Sequence, residues 1–326
     1  MRAVVITHPG GPEVLAVREV PVPEPHAGEI RVRVRAFGIN RADLLQRRGR
    51  YPAPDGVPPD IPGLEFAGLV DARGSGDTVF DIGARVMGIA GGGTYADYVV
   101  IPASHTVAIP DNMTDADAAA IPEVFVTAHD ALRRADLRSG EWLLIHAVGS
   151  GVGLAALQLA TAIGARVIGT SRTADKLERA RALGLDVAIH ASADDLGSIV
   201  RAATDGVGAN VVLDLVGGAQ LPRTLDVMAE QGRLILVGLT AGISAEVDLA
   251  LVLQRRLRIE GTVLRSRSTQ EKARAVAAFA ADVLPLLADG TIRPVVHAVL
   301  PFVEVAEAHR LMEFNLTFGK VVVEVP

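Results

Sequence analysis

Along the first 120 residues, short apolar runs alternate with polar positions and are broken by Pro and Gly. The runs "AVVI" (3–6), "IRVRVRAF" (30–37), "AGLVDA" (67–72), "ARVMGI" (84–89) and "YADYVVIP" (95–102) read as β-strands joined by turns. In "RVRVR" (31–35) charge alternates with Val, which predicts a strand with one wet face. From about Ala118 the pattern changes. The strand-like runs "WLLIHAV" (142–148), "RVIGTS" (166–171), "VAIH" (187–190), "NVVLDLV" (210–216) and "RLILVGL" (233–239) now alternate with helical stretches. These are "GLAALQLATAIG" (153–164), "TADKLERARALG" (173–184), "ADDLGSIVRAAT" (193–204) and "LPRTLDVMAEQG" (221–232). Gly164, Gly184 and Gly232 sit just past the last apolar repeat, where a left-handed residue ends a helix. The alternation predicts a doubly wound parallel sheet, covered on both faces. After about Arg265 come one amphipathic helix, "TQEKARAVAAFAADVLPLLADG" (269–290), then "VHAVLPF", "VAEAHRLMEF" and a last strand, "KVVVEVP". Such an ending suits a chain that returns to complete its first domain.

Residues 142–164 carry no formal charge. Only "LAALQLATAIG" has helical texture throughout, about half of the ~20 residues a membrane span needs. A buried strand followed by a helix explains the lack of charge instead, because a central parallel strand is buried on both faces. The chain has 326 residues, 49% of them apolar, which is enough for two globular domains. Its net charge is −6, and "RVRVR" and "QRRLR" (254–258) are its densest basic runs, so no nucleic-acid partner is expected. The absence of cysteine excludes disulfides and thiolate metal sites. The N-terminal apolar run, Ala3–Ile6, is too short for a signal-peptide core, so the expected location is the cytoplasm.

The chemistry concentrates at Gly149, Gly151 and Gly153, in "VGSGVGLAA". A backbone approaches a diphosphate closely only where side chains are missing, and the free N–H groups of a helix start then hold the charge. The spacing is not the strict G-x-G-x-x-G, whose last position is Leu154 here. Its place between a strand and a helix, within a repeating series, nevertheless points to a dinucleotide. About twenty residues on, an NAD site carries an acid for the ribose hydroxyls. Here Ser171 and Arg172 stand at that point, with Lys176 one turn later. A hydroxyl, a guanidinium and an ammonium suit the ribose phosphate of NADPH. Asp175 reads as a first-turn helix charge.

With these residues in hand, the chain resembles the zeta-crystallin-like quinone oxidoreductases of the medium-chain dehydrogenase/reductase superfamily, in the tumour-suppressor-inducible branch. The segments that carry the resemblance are "HPGGPEVL", "GINRADLLQRRGRYPAP", "IPGLEFAG", "GGGTYADYVVIP", "AAAIPEVFVTA", "LIHAVGSGVG", "VVLDLVGG" and "VLRSR". It implies a GroES-like β-rich domain from residues 1–120 and 266–326 around a Rossmann domain, 121–265. It also implies NADPH, a quinone substrate, and a homodimer formed by edge-to-edge sheet pairing near "LRIEGTVL". By the same resemblance Asn40 and Tyr51 flank the nicotinamide and the substrate cleft, and Thr127 lies by the nicotinamide ribose. The backbone of Ser150, Gly151, Val152 and Gly153 holds the diphosphate. Gly238, Leu239, Leu264 and Arg265 line the nicotinamide end, and Lys320 closes over the cofactor. One departure is visible: the family's usual Tyr after the third Rossmann strand is Ala191, beside His190, and Arg172 is placed to compensate.

Zinc alcohol dehydrogenases share this fold and carry Gly-His-Glu where this chain has Gly63-Leu64-Glu65. Leu has no lone pair to give a metal, and no His pair has ligand spacing, so no metal is expected. His146 reads as a core histidine and His309 as a packing or surface residue. Without a Lewis acid an unactivated carbonyl is a hard substrate, whereas a quinone or conjugated enone already accepts hydride. Asn40 offers an amide and Tyr51 a phenol to the developing oxyanion, while Asp43 is a supporting residue, since its charge opposes one. Water or Tyr51 supplies the proton. Two alternatives stay open: reduction of α,β-unsaturated carbonyl compounds, and an NADPH-binding sensor or structural protein without turnover.

Overall fold

Strand Glu29–Gly38 organises the first part of the chain. Ile30, Val32, Val34 and Ala36 point inward while Arg31, Arg33 and Arg35 face out, the alternation seen in the sequence. One edge pairs antiparallel with Glu65–Arg73. The other edge is divided: Tyr98–Pro102 takes Glu29–Arg33, and the C-terminal strand Lys320–Glu324 takes Ala36–Gly38. Arg85–Ile89 and Thr106–Ala108 extend one side, and Val296–Pro301 lies parallel to the C-terminal strand on the other. A separate antiparallel pair joins Arg2–Ile6 to Leu15–Glu19. In the core of this unit, Phe37 stacks on Tyr95 with ring centroids 4.2 Å apart and meets Phe302 edge-on at 6.2 Å.

This computed structural model describes residues 1–76, 79–192 and 195–326. They divide into two compact units, Met1–Val126 with Leu264–Pro326, and Thr127–Val263. The first is the GroES-like β-rich unit and the second the Rossmann unit. The second unit holds six parallel strands in the spatial order Val187–His190, Arg166–Ser171, Trp142–Ile145, Ala209–Asp214, Met228–Leu236, Arg258–Gly261. The order reverses between the first strand of the unit, Trp142–Ile145, and the fourth, Ala209–Asp214. Ligands of doubly wound sheets bind in the crevice at such a reversal, beyond the carboxyl ends of the strands. Trp142, Leu144, Ile168, Val212 and Leu234 pack one core with Leu196, Val200 and Leu225. The alternate residues Leu143, Val167, Val211 and Ile235 are equally buried, so both faces are covered.

Three expectations change. Gly232 lies within the strand Met228–Leu236 rather than past a helix, and the helix before it ends at Asp226. The left-handed residue there is Gln231, with φ 58°. The single helix expected over 269–290 is two, Thr269–Asp282 and Leu284–Ala288. Pro285 has no N–H to continue the ladder, so the helix breaks before it. Helices at Arg41–Arg47 and Pro122–Arg134 form where no helical run was read. The helix within 193–204 is described from Leu196; Ala193 and Asp194 lie outside the described residues. The charge-free run becomes the strand Trp142–Ile145 and the 13-residue helix Gly151–Ile163. Among the described residues no helix is long and apolar enough to cross a membrane.

The C-terminal strand is tied in by more than its ladder. Lys320 Nζ lies 2.6 Å from Glu65 Oε1, with both side chains buried. Lys320→Met therefore strands a buried carboxylate and lowers stability by about 3–5 kcal/mol. In the double variant Glu65→Gln/Lys320→Met, the loss is smaller than in Lys320→Met alone. Guanidinium unfolding followed by circular dichroism measures both.

Candidate cofactor and acceptor sites

The Rossmann unit turns from strand to helix at Gly149–Gly153. Ala147 adopts φ 55°, and Ser150 caps the helix Gly151–Ile163. Ser150 N–H donates to Ala147 O (3.0 Å), and Gly153 N–H donates to Ser150 Oγ (3.1 Å). The cap thus uses two donors of the expected diphosphate grip. Gly151 and Val152 N–H have no acceptor among the described residues, and they lie in the first turn, where the helix dipole favours an anion. A Cβ on Gly153 would stand 2.7 Å from the carbonyl oxygens of Ala147 and Val148, so only glycine closes this turn. A Cβ on Gly149 would stand 3.1 Å from Lys176 Cβ and Cδ; the Lys176 stem lies along the turn.

Ser171 ends the second strand of the unit, buried, with Arg172 exposed beyond it. Ala191 N–H donates to Ser171 O at 2.8 Å, so the departure at Ala191 falls beside Ser171. These residue types fit a phosphorylated ribose: the strand ends on a hydroxyl and a guanidinium, with Lys176 and the exposed Asp175 on the helix that follows.

The sequence reading assigned no role to Asp214, at the end of the fourth strand of the unit. Its Oδ1 accepts Val216 and Gly217 N–H at 2.8 and 2.9 Å, while its buried Oδ2 has no partner. Gly238 N–H reaches Asp214 O at 3.3 Å, and a Cβ there would stand 2.5 Å from Leu215 O, so Gly238 answers to close backbone packing. Leu239 is exposed and Thr127 is half-buried on the helix Pro122–Arg134. His146 is buried between the Thr170 and Thr224 hydroxyls (3.1 and 2.8 Å), and burial lowers its pKa, so it stays a neutral core residue.

In the GroES-like unit a polar cluster fills the interior. Lys320 Nζ donates to Ile39 O (2.5 Å), Asn40 Oδ1 (2.7 Å) and Glu65 Oε1 (2.6 Å). An ammonium has three N–H groups, so all three are used within this cluster. Asn40 is likewise committed. Its Nδ2 donates to Glu65 Oε1 at 2.9 Å and to Gly38 O at 3.4 Å, which ties it into the cluster. Asp43 is fully buried, accepts Asn40 N–H (2.7 Å), Gly63 N–H (3.2 Å) and Tyr95 OH (3.0 Å), and titrates near 6 because burial opposes its charge.

From Asp43 a chain of donors runs back through the core. Arginine only donates, so Arg47 Nη1 gives its hydrogen to His309 Nδ1 (3.2 Å). His309 Nε2–H then donates to the Tyr95 oxygen (3.1 Å), and Tyr95 to Asp43. Burial, then the nearby Arg47 charge, lowers the His309 pKa to about 3, which keeps the ring neutral. His309 is therefore a buried link and not a surface residue.

Arg265 and Leu264 are buried in this same unit. Arg265 donates to Gly91 O (2.8 Å), Tyr51 O (3.2 Å) and Gln46 Oε1 (2.5 Å), with its guanidinium carbon 4.9 Å from the Tyr51 ring centroid. It anchors the loop that carries Tyr51. The Tyr51 hydroxyl, half-buried, has no hydrogen-bond partner among the described residues. No cluster of three or more potential ligands for a metal occurs among the described residues.

Comparison with known proteins follows this architecture. Residues 26–111 match the alcohol dehydrogenase GroES-like domain and 151–282 the zinc-binding dehydrogenase family. A quinone oxidoreductase of Pseudomonas aeruginosa is 36% identical over 96% of both chains. The crystal structure of Escherichia coli quinone oxidoreductase complexed with NADPH superposes with TM-score 0.90 at 30% identity, covering 100% of both chains. That of an NAD-dependent alcohol dehydrogenase gives TM-score 0.89 at 37% identity, again over 100% of both. The chain belongs to the quinone oxidoreductases of the medium-chain dehydrogenase/reductase superfamily.

Proposed function

We propose that the protein is a zinc-independent, NADPH-dependent reductase that passes hydride to quinones. One observation carries the reading: two open amide donors, Gly151 and Val152, sit in a glycine turn whose neighbouring strand ends in Ser171-Arg172 instead of an acid. When bound, the reduced nicotinamide supplies hydride. Gly151 and Val152 hold its diphosphate; Ser171, Arg172 and Lys176 hold the ribose phosphate. Thr127, Gly238 and Leu239 serve its nicotinamide end. Tyr51, its backbone fixed by Arg265, directs a free phenol at the oxygen of the acceptor and stabilises the charge that develops there. Zinc independence is supported by the lack of cysteine and by Leu64 beside Glu65. The edge strand Arg258–Gly261, with Ile259 exposed, is where a second copy adds its own sheet to form a homodimer.

Arg172→Ala weakens NADPH binding by about 10- to 100-fold and leaves NADH nearly unchanged, since only the charge-assisted phosphate contact is lost. Gly153→Ala weakens both nucleotides, because its methyl group displaces the turn. Calorimetric titration of each variant separates the two; equal weakening of both nucleotides by Arg172→Ala would remove the preference for NADPH.

Tyr51→Phe lowers kcat/KM for quinones about 10- to 100-fold with NADPH affinity unchanged, the cost of one oxyanion donor. The acceptor class is decided by NADPH oxidation with ortho- and para-quinones against enones. Turnover with enones alone would make this an enone reductase, and binding without any turnover a sensor.

A further inference from the structure

Two buried cations lie along the glycine run 91–93 of the GroES-like unit, and neither has an ion pair among the described residues. Lys272, on the helix Thr269–Asp282, is 8% exposed, and its ammonium makes no hydrogen bond among them. Arg265 is 5% exposed and donates only to uncharged oxygens, those of Gly91, Tyr51 and Gln46. A guanidinium has five N–H groups, so part of its capacity remains.

Both cations reach the same stretch of backbone. A Cβ on Gly91 would stand 3.8 Å from Lys272 Nζ, and one on Gly92 would stand 3.8 Å from Arg265 Nη2. The N–H groups of Gly91 and Gly92 have no acceptor among the described residues, although Gly92 is buried. Buried amides of native proteins are nearly always paired. An ammonium, the rest of a guanidinium and two amides thus stand unspent along one short segment, and every one of them is a donor. Hydrocarbon closes on the same glycines. A Cβ on Gly91 would stand 3.0 Å from Val57 Cγ2 and 3.1 Å from Pro54 Cγ, and one on Gly92 would stand 2.6 Å from Val57 Cγ1.

We propose that Lys272, Arg265 and the Gly91 and Gly92 amides form a binding site for a carboxylate carried on a small apolar body. The site lies wholly within the GroES-like unit and stands apart from the reductase reading. A carboxylate only accepts, which is what a group of unspent donors lacks. Successive unpaired N–H groups are a recurrent cradle for anions, and glycine leaves that backbone open to close approach. Burial lowers the pKa of Lys272; the Glu123 charge opposes this, and the Arg265 charge adds to it. A bound anion offsets both the lost hydration and the repulsion between the two cations. Val57 and Pro54 give an apolar body a surface to cover, and they give nothing to a strongly hydrated phosphate.

Benzoate is the probe, with benzamide as its uncharged counterpart. In calorimetric titration of the full chain, benzoate binds and benzamide does not. Lys272→Met weakens benzoate about 10- to 100-fold, and Lys272→Arg recovers part of the loss. Arg172→Ala, in the Rossmann unit, leaves benzoate affinity unchanged. Urea unfolding supplies a readout that a merely structural lysine does not give. Without benzoate, Lys272→Met has a higher midpoint than wild type, because it no longer buries an unpaired charge. Saturating benzoate raises the wild-type midpoint and leaves that of the variant in place. Absence of benzoate binding, equal binding of benzamide, tighter binding of inorganic phosphate, or a benzoate affinity untouched by Lys272→Met overturns the proposal. The first three outcomes are read on wild type, so the test survives a variant that fails to fold.

Discussion

The GroES-like unit is organised around one buried carboxylate. Glu65 sits on a central strand with no access to water, and its two oxygens are divided among Lys320, Asn40 and the start of the helix at Glu123. A buried ion costs several kcal/mol of lost hydration unless its partners are well placed. Here they come from three distant parts of the chain: the helix cap at Asn40, a helix start at Glu123 and the C-terminal strand at Lys320. Satisfying one charge therefore fixes the position of every element that reaches it. A Cβ on Gly38 would stand 2.3 Å from Glu65 Oε1, which shows how tightly the surrounding backbone closes on it.

A second set of polar bonds runs through the core of the same unit. The donors run one way, from Arg47 through His309 and Tyr95 to Asp43, since arginine at the head of the line has nothing to accept with. Asp43 in turn caps the helix that follows Asn40. Tyr95 contributes to both the apolar and the polar order, stacking on Phe37 while its hydroxyl links His309 to Asp43. Fully satisfied networks of this kind favour one arrangement of the core over its near neighbours.

The Rossmann unit was largely legible in the sequence, because its signals are local. Period, glycine stops and the strand–turn–helix setting of Gly149–Gly153 all act within about thirty residues of one another. The runs "RVIGTS" and "VAIH" coincide with their strands. The failures have physical causes. At Gly232 the chain turned one residue earlier, at Gln231, and Pro285 cut a continuous apolar pattern that periodicity alone reads as one helix. The polar interior of the other unit was not legible. The partners of Asn40, Lys320 and Arg265 lie up to 281 positions away, and no local pattern encodes them.

The divided edge of strand Glu29–Gly38 has a consequence for biosynthesis. Half of that edge is taken early, by Tyr98–Pro102, and half by Lys320–Glu324. Some 250 residues separate Glu65 from its cation, and ribosomes add roughly 5–20 residues per second. For tens of seconds the nascent chain holds an acid whose counter-charge has not yet been made, while the intervening nucleotide-binding unit, its own contacts complete, is free to fold first.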